Sequence, residues 1–245
     1  MSEARDTIID LGAWLAQPAG AYIRAWEQSQ FDLLAADIFG YHAVQVGLPQ
    51  INALSTNRMP HRWRTDSKWS AVDLVHDFTE LPFDSQSIDL VVLPHILELA
   101  KEPHQVLREV ERVLIPEGRL IVSGLNRASL WGARQTFGRA MGSHFLPEEG
   151  EFISPSRLKD WLKLMNMEVA QTRFGCYAFP VNSEAWLTTS SMMENLGKRW
   201  WPYFGAVYMF EAVKRVRGMH LVGPVLKRKR MRRGSVIALA NKSKN

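Results

Sequence analysis

The sequence has a single cysteine, no long apolar run and no acidic residue near its carboxyl end. Because Cys176 is the one cysteine among 245 residues, an internal disulfide and a clustered thiolate metal site are both excluded. No stretch approaches the roughly 20 apolar residues of a membrane span. The charged residues between Glu3 and Asp10 lack the order of a secretory signal. These absences favour a cytoplasmic protein without a metal site.

The basic residues are concentrated at one end of the chain. The formal net charge is +5, yet residues 214–245 contain eleven Lys and Arg and no Asp or Glu, so the remainder is acidic. The basic run at 227–233 repels itself and stays solvated unless an anionic surface neutralises it. Two interpretations remain open: a solubilising tail, or contact with a polyanion such as RNA, DNA or acidic lipid head groups.

Strand and helix patterns alternate along the chain. A helical face recurs between Pro18 and Gly40, and the apolar run at 88–93 is typical of a parallel strand buried on both faces. Further helices are predicted to begin at Pro103 and Pro155. The other predicted strands are 43–47, 62–66, 71–75, 119–123, 167–174 and 206–213, with a turn at 116–118. This alternation predicts an α/β fold with a doubly wound, mainly parallel seven-stranded sheet and helices on both faces.

The predicted domain boundaries follow these patterns and the charge distribution. We expect an amino-terminal helical cap over 1–40, a main domain over 41–222 and a basic tail over 223–245. The segment 175–205 is predicted to be an insertion rich in aromatic residues. Such residues can stack on a planar acceptor, lie at a membrane interface or form a second small core.

In a doubly wound sheet, small ligands bind at the carboxyl ends of the strands. Gly47 ends the first strand, and Asp66 lies nineteen residues later, where an acid can accept hydrogen bonds from ribose hydroxyls. Asp77-Phe78 and Pro94-His95 follow two further strands. Each of three residues also has a structural explanation that needs no ligand. Gly47 can be a turn glycine, Asp77 a cap or turn residue, and His95 a packed or capping residue.

From Asp77 to Val92 the chain reads DFTELPFDSQSIDLVV, and 107–122 reads LREVERVLIPEGRLIV. These segments resemble the class I S-adenosylmethionine-dependent methyltransferases, specifically the type 11 group that includes the ubiquinone and menaquinone methylases. Residues 41–125 carry most of the resemblance. Small proteobacterial relatives in this group are similar also at GLNRASLWG, residues 124–132.

The resemblance implies a Rossmann-like methyltransferase fold, S-adenosylmethionine as cofactor and a small-molecule methyl acceptor. It implies that Asp77 accepts a hydrogen bond from the adenine amino group, that the Phe78 amide faces the ring, and that Asp66 holds the ribose. Gly47 would lie under the cofactor. Near the methionine end, the pocket would be walled by Leu93, Pro94 and His95, with His95 as the candidate catalytic residue.

The first loop departs from the family pattern of an acid followed by spaced glycines. This chain has Gln45 in place of the acid, and only Gly47 of the glycines. Leu48 and Pro49 bring bulk and a missing amide where the cofactor normally lies against bare backbone. The cofactor's ammonium group therefore has no acidic partner at position 45.

Three functions follow from these features. The first is methyl transfer from S-adenosylmethionine to a small acceptor. The second is a catalytically silent binding module that docks on RNA or anionic membrane through 227–233, which would give it a peripheral membrane position. The third, methylation of a nucleic-acid base, is disfavoured because 93–96 reads LPHI in place of an Asn-Pro-Pro-Tyr type motif.

Overall fold

The structure, a computed structural model, describes residues 11–68, 71–140, 152–180 and 191–215. A seven-stranded sheet forms its centre, with strand order β3-β2-β1-β4-β5-β7-β6. The strands are β1 (His42–Val46), β2 (His61–Asp66), β3 (Leu74–Val75), β4 (Ile88–Pro94), β5 (Leu114–Leu125), β6 (Met167–Gly175) and β7 (Val207–Lys214). The pairs among β1 to β5 are parallel, whereas β7 runs antiparallel to β5 and β6. The predicted mainly parallel, seven-stranded Rossmann-like methyltransferase fold is confirmed.

Helices cover both faces of the sheet. They are α1 (Pro18–Ala36), α2 (Ile96–Leu99), α3 (Pro103–Val113), α4 (Leu130–Ala140), α5 (Pro155–Leu164) and α6 (Ser191–Trp200), followed by a 3-10 turn at Pro202–Phe204. Two apolar cores result: α1 packs on one face through Ile23 and Phe31, and α3 packs on the other through Val106 and Val110. Proline opens α1, α3 and α5, where its missing amide costs no hydrogen bond.

Two strands differ from their predicted bounds by more than one residue. The third is two residues long, since only Thr65↔Leu74 and Asp66↔Val75 pair. The fifth strand begins at Leu114, so the predicted turn at 116–118 lies inside it. There the pairing with β4 shifts its register between Ile88↔Leu114 and Leu90↔Arg119. Glu117 takes the left-handed conformation there, with φ +64. A sequence pattern that stops a strand can thus also mark a bulge within one.

The predicted domain limits remain a prediction. The helical cap over 1–40 is described from residue 11 onward, and the tail over 223–245, with its basic run at 227–233, lies outside the described residues. In the insertion, residues 181–190 are also outside them.

Candidate functional site

The predicted site residues follow neighbouring strands at one edge of the sheet. Gly47 follows β1, Asp66 ends β2, and His95 follows β4. Because β2, β1 and β4 are adjacent and parallel, their carboxyl ends meet at this edge, called here the C-terminal edge. Asp77 and Phe78 come two and three residues after β3 and lie at the same edge.

Packing explains why residue 47 is glycine. Its φ of +78 lies in the left-handed region, and a β-carbon there would lie 2.0 Å from Ile96 Cδ1. The Phe78 ring is next, at 3.9 Å. The first turn of α2 therefore rests on the bare backbone of Gly47, which accounts for the glycine without a ligand.

The Gln45 carboxamide holds the loop after β1 closed. It is fully buried, and its Nε2 donates to the carbonyls of Gly47, Leu48 and Ile51 at 3.1, 3.1 and 2.7 Å. Its Oε1 accepts from the Ala53 amide at 2.9 Å. Leu48 adopts φ +46 and is buried in the core beneath α1. Gln45 thus donates hydrogen bonds to backbone carbonyls. The ionised acid of the family pattern has no proton to donate to them.

Asp66 is a buried carboxylate at the end of β2, with 4% of its surface exposed. Its Oδ1 accepts from the Ser67 amide at 2.6 Å. Burial raises the pKa of Asp66, and the Ser67 hydrogen bonds oppose that rise. Beside it, His76 Nε2 lies 2.9 Å from Thr65 Oγ1, and burial lowers the pKa of this imidazole.

Asp77 is exposed and forms a turn with Thr79. Its Oδ1 accepts from the Thr79 amide at 2.9 Å and from the Thr79 hydroxyl at 2.7 Å. These bonds lower the pKa of Asp77. Phe78 is buried, and its ring meets His76 edge-on at a centroid distance of 6.0 Å. The turn role that Asp commonly has is present here, and one carboxylate oxygen already serves it.

His95 lies between two buried carboxylates. Its Nε2 is 2.9 Å from Glu27 Oε1 and its Nδ1 is 3.0 Å from Glu98 Oε2. All three side chains are at most 6% exposed. Desolvation lowers the pKa of His95, but Glu27 and Glu98 outweigh it and raise the pKa to about 10. The ring is therefore an imidazolium near neutral pH.

The two carboxylates of this cluster differ in their partners. Glu98 also accepts from the Leu125 amide at 2.5 Å, and burial raises its pKa. Within the described part of the chain, neither oxygen of Glu27 accepts a hydrogen bond of good geometry. Glu27 therefore has unused acceptor capacity beside the imidazolium, a costly state for a buried carboxylate.

Sequence reasoning did not identify Glu27 as a site residue. A signal existed, because Glu27 occupies the apolar stripe of α1 formed by Ile23, Phe31 and Leu34. A charge on the buried face of an amphipathic helix requires a partner. Leu93 and Pro94, predicted to wall the pocket, are buried strand residues paired with Val122 and Ser123 of β5.

A cavity of about 550 Å³ lies at the same edge, beyond β5. Parts of α4, the segment after β6, α6 and the 3-10 turn surround it. Its lining residues are Ala128, Ser129, Leu130, Trp131, Ala133, Cys176, Tyr177, Ala178, Phe179, Leu196, Gly197, Trp201 and Phe204. The Trp131 ring stacks on Tyr22 of α1 at 6.2 Å, so the helix that carries Glu27 reaches this cavity.

The aromatic residues of the insertion do not form a second small core in its described part. Tyr177 is 7% exposed, but Phe179, Trp200, Trp201, Tyr203 and Phe204 are 49–71% exposed. Trp186 lies outside the described residues. Of the three predicted roles, stacking on a planar acceptor and contact with a membrane interface remain open for the exposed aromatic residues.

The described residues contain neither a metal-binding cluster nor a membrane-spanning helix. No group of three or more His, Cys, Asp or Glu among them is arranged to hold a metal ion. No described helix combines the length and the hydropathy needed to cross a membrane.

Comparison with known proteins finds a family match over part of the chain. Residues 25–122 match the family described as "Methyltransferase domain". The "Uncharacterized protein YafS" of Escherichia coli K12 is 29% identical over 165 residues, which are 66% of this chain and 68% of that protein. The "Demethylmenaquinone methyltransferase" of Listeria monocytogenes serotype 4a is 33% identical over 101 residues, or 40% of this chain. This chain covers only 42% of that enzyme's length.

A solved structure agrees with the fold. The methyltransferase in complex with the Trm112 methyltransferase activator of Haloferax volcanii aligns with a TM-score of 0.57 and 18% identity. The alignment covers 84% of this chain and 98% of that one. Residues 25–122 are thus similar to the methyltransferase domain family, and the sheet has the strand order of the class I methyltransferase fold.

Proposed function

We propose that this protein binds S-adenosylmethionine at the C-terminal edge and transfers its methyl group to a small acceptor. The observation that carries the proposal is the convergence of three strand ends. The order β2-β1-β4 brings the Asp66 carboxylate, the Gly47 loop and the Glu27–His95–Glu98 cluster to one edge. Ligands of doubly wound sheets bind at such edges.

The nucleoside half of the cofactor fits this edge. Asp66 lies at the end of β2, where a carboxylate can accept from the ribose hydroxyls, and its Oδ1 accepts from the Ser67 amide. Asp77 and Phe78 follow β3, where the adenine would lie. Asp77 keeps its second oxygen for the amino group while Oδ1 serves the turn.

For the methionine half of the cofactor, the acidic partner of the ammonium group would come from a different position than in the family pattern. Gln45 is neutral and committed to the loop backbone, so it offers no charge to an ammonium group. Glu27 is a buried acid beside the His95 ring, and within the described residues neither of its oxygens accepts a hydrogen bond of good geometry. The neighbouring Gln28 holds α1 to the loop by exchanging hydrogen bonds with Asn52 at 2.9 and 3.1 Å. Glu27 would therefore supply the negative charge.

Methyl transfer requires little from the protein side chains except that they position the reactants. When bound, S-adenosylmethionine supplies an activated methyl group, so an acceptor held in line needs mainly orientation. His95, whose pKa is about 10, already carries its proton near neutral pH. We therefore assign His95 a positioning role: its positive charge holds Glu27 and Glu98 in place.

Calorimetric titration with S-adenosylmethionine and S-adenosylhomocysteine tests the proposal. We expect one site with micromolar affinity. Asp66→Asn should weaken it roughly tenfold or more, since hydrogen bonds to a charged group are worth about 1.5–3 kcal/mol. Asp160→Asn, at an exposed position on α5, is the matched control and should bind as the parent does. Equal affinity of the Asp66 variant would remove Asp66 from the site.

A second candidate is a catalytically silent module. It is favoured by the closed loop after β1, where Gln45 bonds four backbone groups and Ile96 covers Gly47. In that case neither nucleoside binds at millimolar concentration. The predicted contact of residues 227–233 with RNA or anionic lipid would then be the function, and its affinity would fall steeply with salt.

A further inference from the structure

Among the described residues, no charged side chain lines the cavity beyond β5. Its polar groups are already used: Trp131 Nε1 donates to the Ala178 carbonyl at 2.7 Å and Tyr177 Oη to the Pro202 carbonyl at 2.7 Å. Ser129 Oγ donates to the Asn126 carbonyl at 2.6 Å. A ligand that occupied this space would find apolar surface and few free hydrogen-bonding groups. The cavity therefore selects an uncharged, apolar occupant.

Exposed apolar side chains surround this cavity. We call Phe179, Trp200, Trp201, Tyr203 and Phe204 the aromatic rim; Phe179, Trp201 and Phe204 also line the cavity. Trp201 and Tyr203 are 61% and 71% exposed. Such a concentration of exposed aromatics is costly in water and typical of interaction sites. Trp and Tyr in particular are enriched at the level of lipid head groups.

The described segments beside the rim carry more basic than acidic residues. Residues 126–140 and 191–205 together contain five Lys and Arg against one acid, Glu194. That acid faces inward, where its Oε1 accepts from the Tyr177 amide at 2.9 Å and from the Tyr22 hydroxyl. Arg127 and Arg199 are exposed. An aromatic rim with basic flanks complements an anionic membrane surface.

We propose that the aromatic rim docks on an anionic membrane and that the cavity takes the hydrocarbon chain of a lipid, which is the methyl acceptor. This rests on the proposed function, since it names the substrate class for the same edge of the sheet. RNA could stack on exposed aromatics. The observations favour lipid, because a cavity without free polar groups cannot read base edges but accommodates a hydrocarbon.

Docking is tested with the full chain and sedimented vesicles. Vesicles of phosphatidylcholine and phosphatidylglycerol should bind the protein more tightly than vesicles of phosphatidylcholine alone, by about fivefold for each basic side chain at the surface. The double variant Trp200→Ala/Trp201→Ala should lower binding to the mixed vesicles about tenfold or more. The matched control is Phe39→Ala/Tyr41→Ala, because these residues are 74% and 71% exposed but precede β1 at the opposite edge.

Two results would overturn the docking surface. One is equal vesicle binding by the tryptophan double variant and the parent. The other is binding of single-stranded RNA that is tighter than vesicle binding and is lost in the same variant, which would make the rim a nucleic-acid surface.

The cavity is tested with N-phenyl-1-naphthylamine, an uncharged probe that fluoresces in apolar surroundings. The parent should show saturable enhancement at one site, and Ala133→Trp, which places an indole at the lining, should abolish it. Ala25→Trp, at an exposed alanine of α1 outside the lining, should retain it. Enhancement that survives Ala133→Trp refutes the cavity as the binding site.

The outcomes of the vesicle and probe experiments can be distinguished from those of the experiment that tests the proposed function. Vesicle and probe binding need no cofactor, and nucleoside binding needs no lipid. Nucleoside binding without rim-dependent vesicle binding overturns the lipid acceptor alone. Rim-dependent vesicle binding without nucleoside binding supports the docking surface while it refutes methyl transfer, and with it the role of the lipid as acceptor.

Discussion

The buried cluster of Glu27, His95 and Glu98 makes a sharp prediction for Glu27→Gln. The substitution keeps the shape of the side chain but removes one of the two charges that flank the imidazolium. Because His95 is 1% exposed, water cannot replace the lost partner. Removing one partner of a buried ion pair costs about 3–5 kcal/mol when the remaining charge is left uncompensated, whereas here Glu98 still pairs with His95 at 3.0 Å. We therefore expect Glu27→Gln to lose a smaller amount, about 1–2 kcal/mol of unfolding free energy at pH 7.

The pH dependence gives this prediction a second readout. The pKa of His95 is about 10 in the folded protein and about 6.5 in the unfolded chain. The stabilisation is therefore complete below pH 6.5 and is lost as the pH rises toward 10. Between pH 7 and pH 9 the parent should lose about 2 kcal/mol through this group. In Glu27→Gln the pKa of His95 is lower, so the same pH step should cost less.

Urea unfolding at pH 7 and pH 9, followed by circular dichroism, measures both effects. Glu80→Gln, at an exposed position, serves as the control and should behave as the parent does. A change below about 0.5 kcal/mol in Glu27→Gln at pH 7, or an equal pH 7 to 9 loss in parent and variant, would refute the ion pair as described.

Other predictions concern the loop after β1. Gly47→Ala should destabilise the protein by about 1–3 kcal/mol because its β-carbon would meet Ile96, and Ile96→Ala should recover part of this loss in a double-mutant cycle of urea unfolding. Additive costs would contradict the contact. Gln45→Glu should lower the melting temperature, since a buried carboxylate cannot donate to three carbonyls, and an unchanged or higher melting temperature would show that the loop reopens around the acid.

Local sequence patterns determine the sheet and the strand ends well. The run at 88–93 and the stripe of α3 each carry their signal within a dozen residues, and β4 and α3 lie where these patterns predict. Gly47, Asp66 and His95 lie at one edge because parallel strands place their carboxyl ends there, and their roles as site residues stay predictions. α4 and α6 were not predicted, since they lie in segments interpreted only as regions outside the sheet.

Local sequence patterns could not predict contacts between residues that are far apart in the chain. Glu27 meets His95 across 68 positions, and the glycine at 47 is explained by Ile96. The sequence showed that aromatics were abundant in 175–205 but could not show which would be exposed. Exposure depends on the cavity that α4 and α6 leave between them.

The central claim is that the C-terminal edge holds a sulfonium nucleoside. Native mass spectrometry of the purified full chain with added S-adenosylmethionine tests it directly, because bound and free protein are counted separately. We expect one bound cofactor per chain, with occupancy that falls in Asp66→Asn and not in Asp160→Asn. A spectrum that shows only free protein at millimolar cofactor would contradict it.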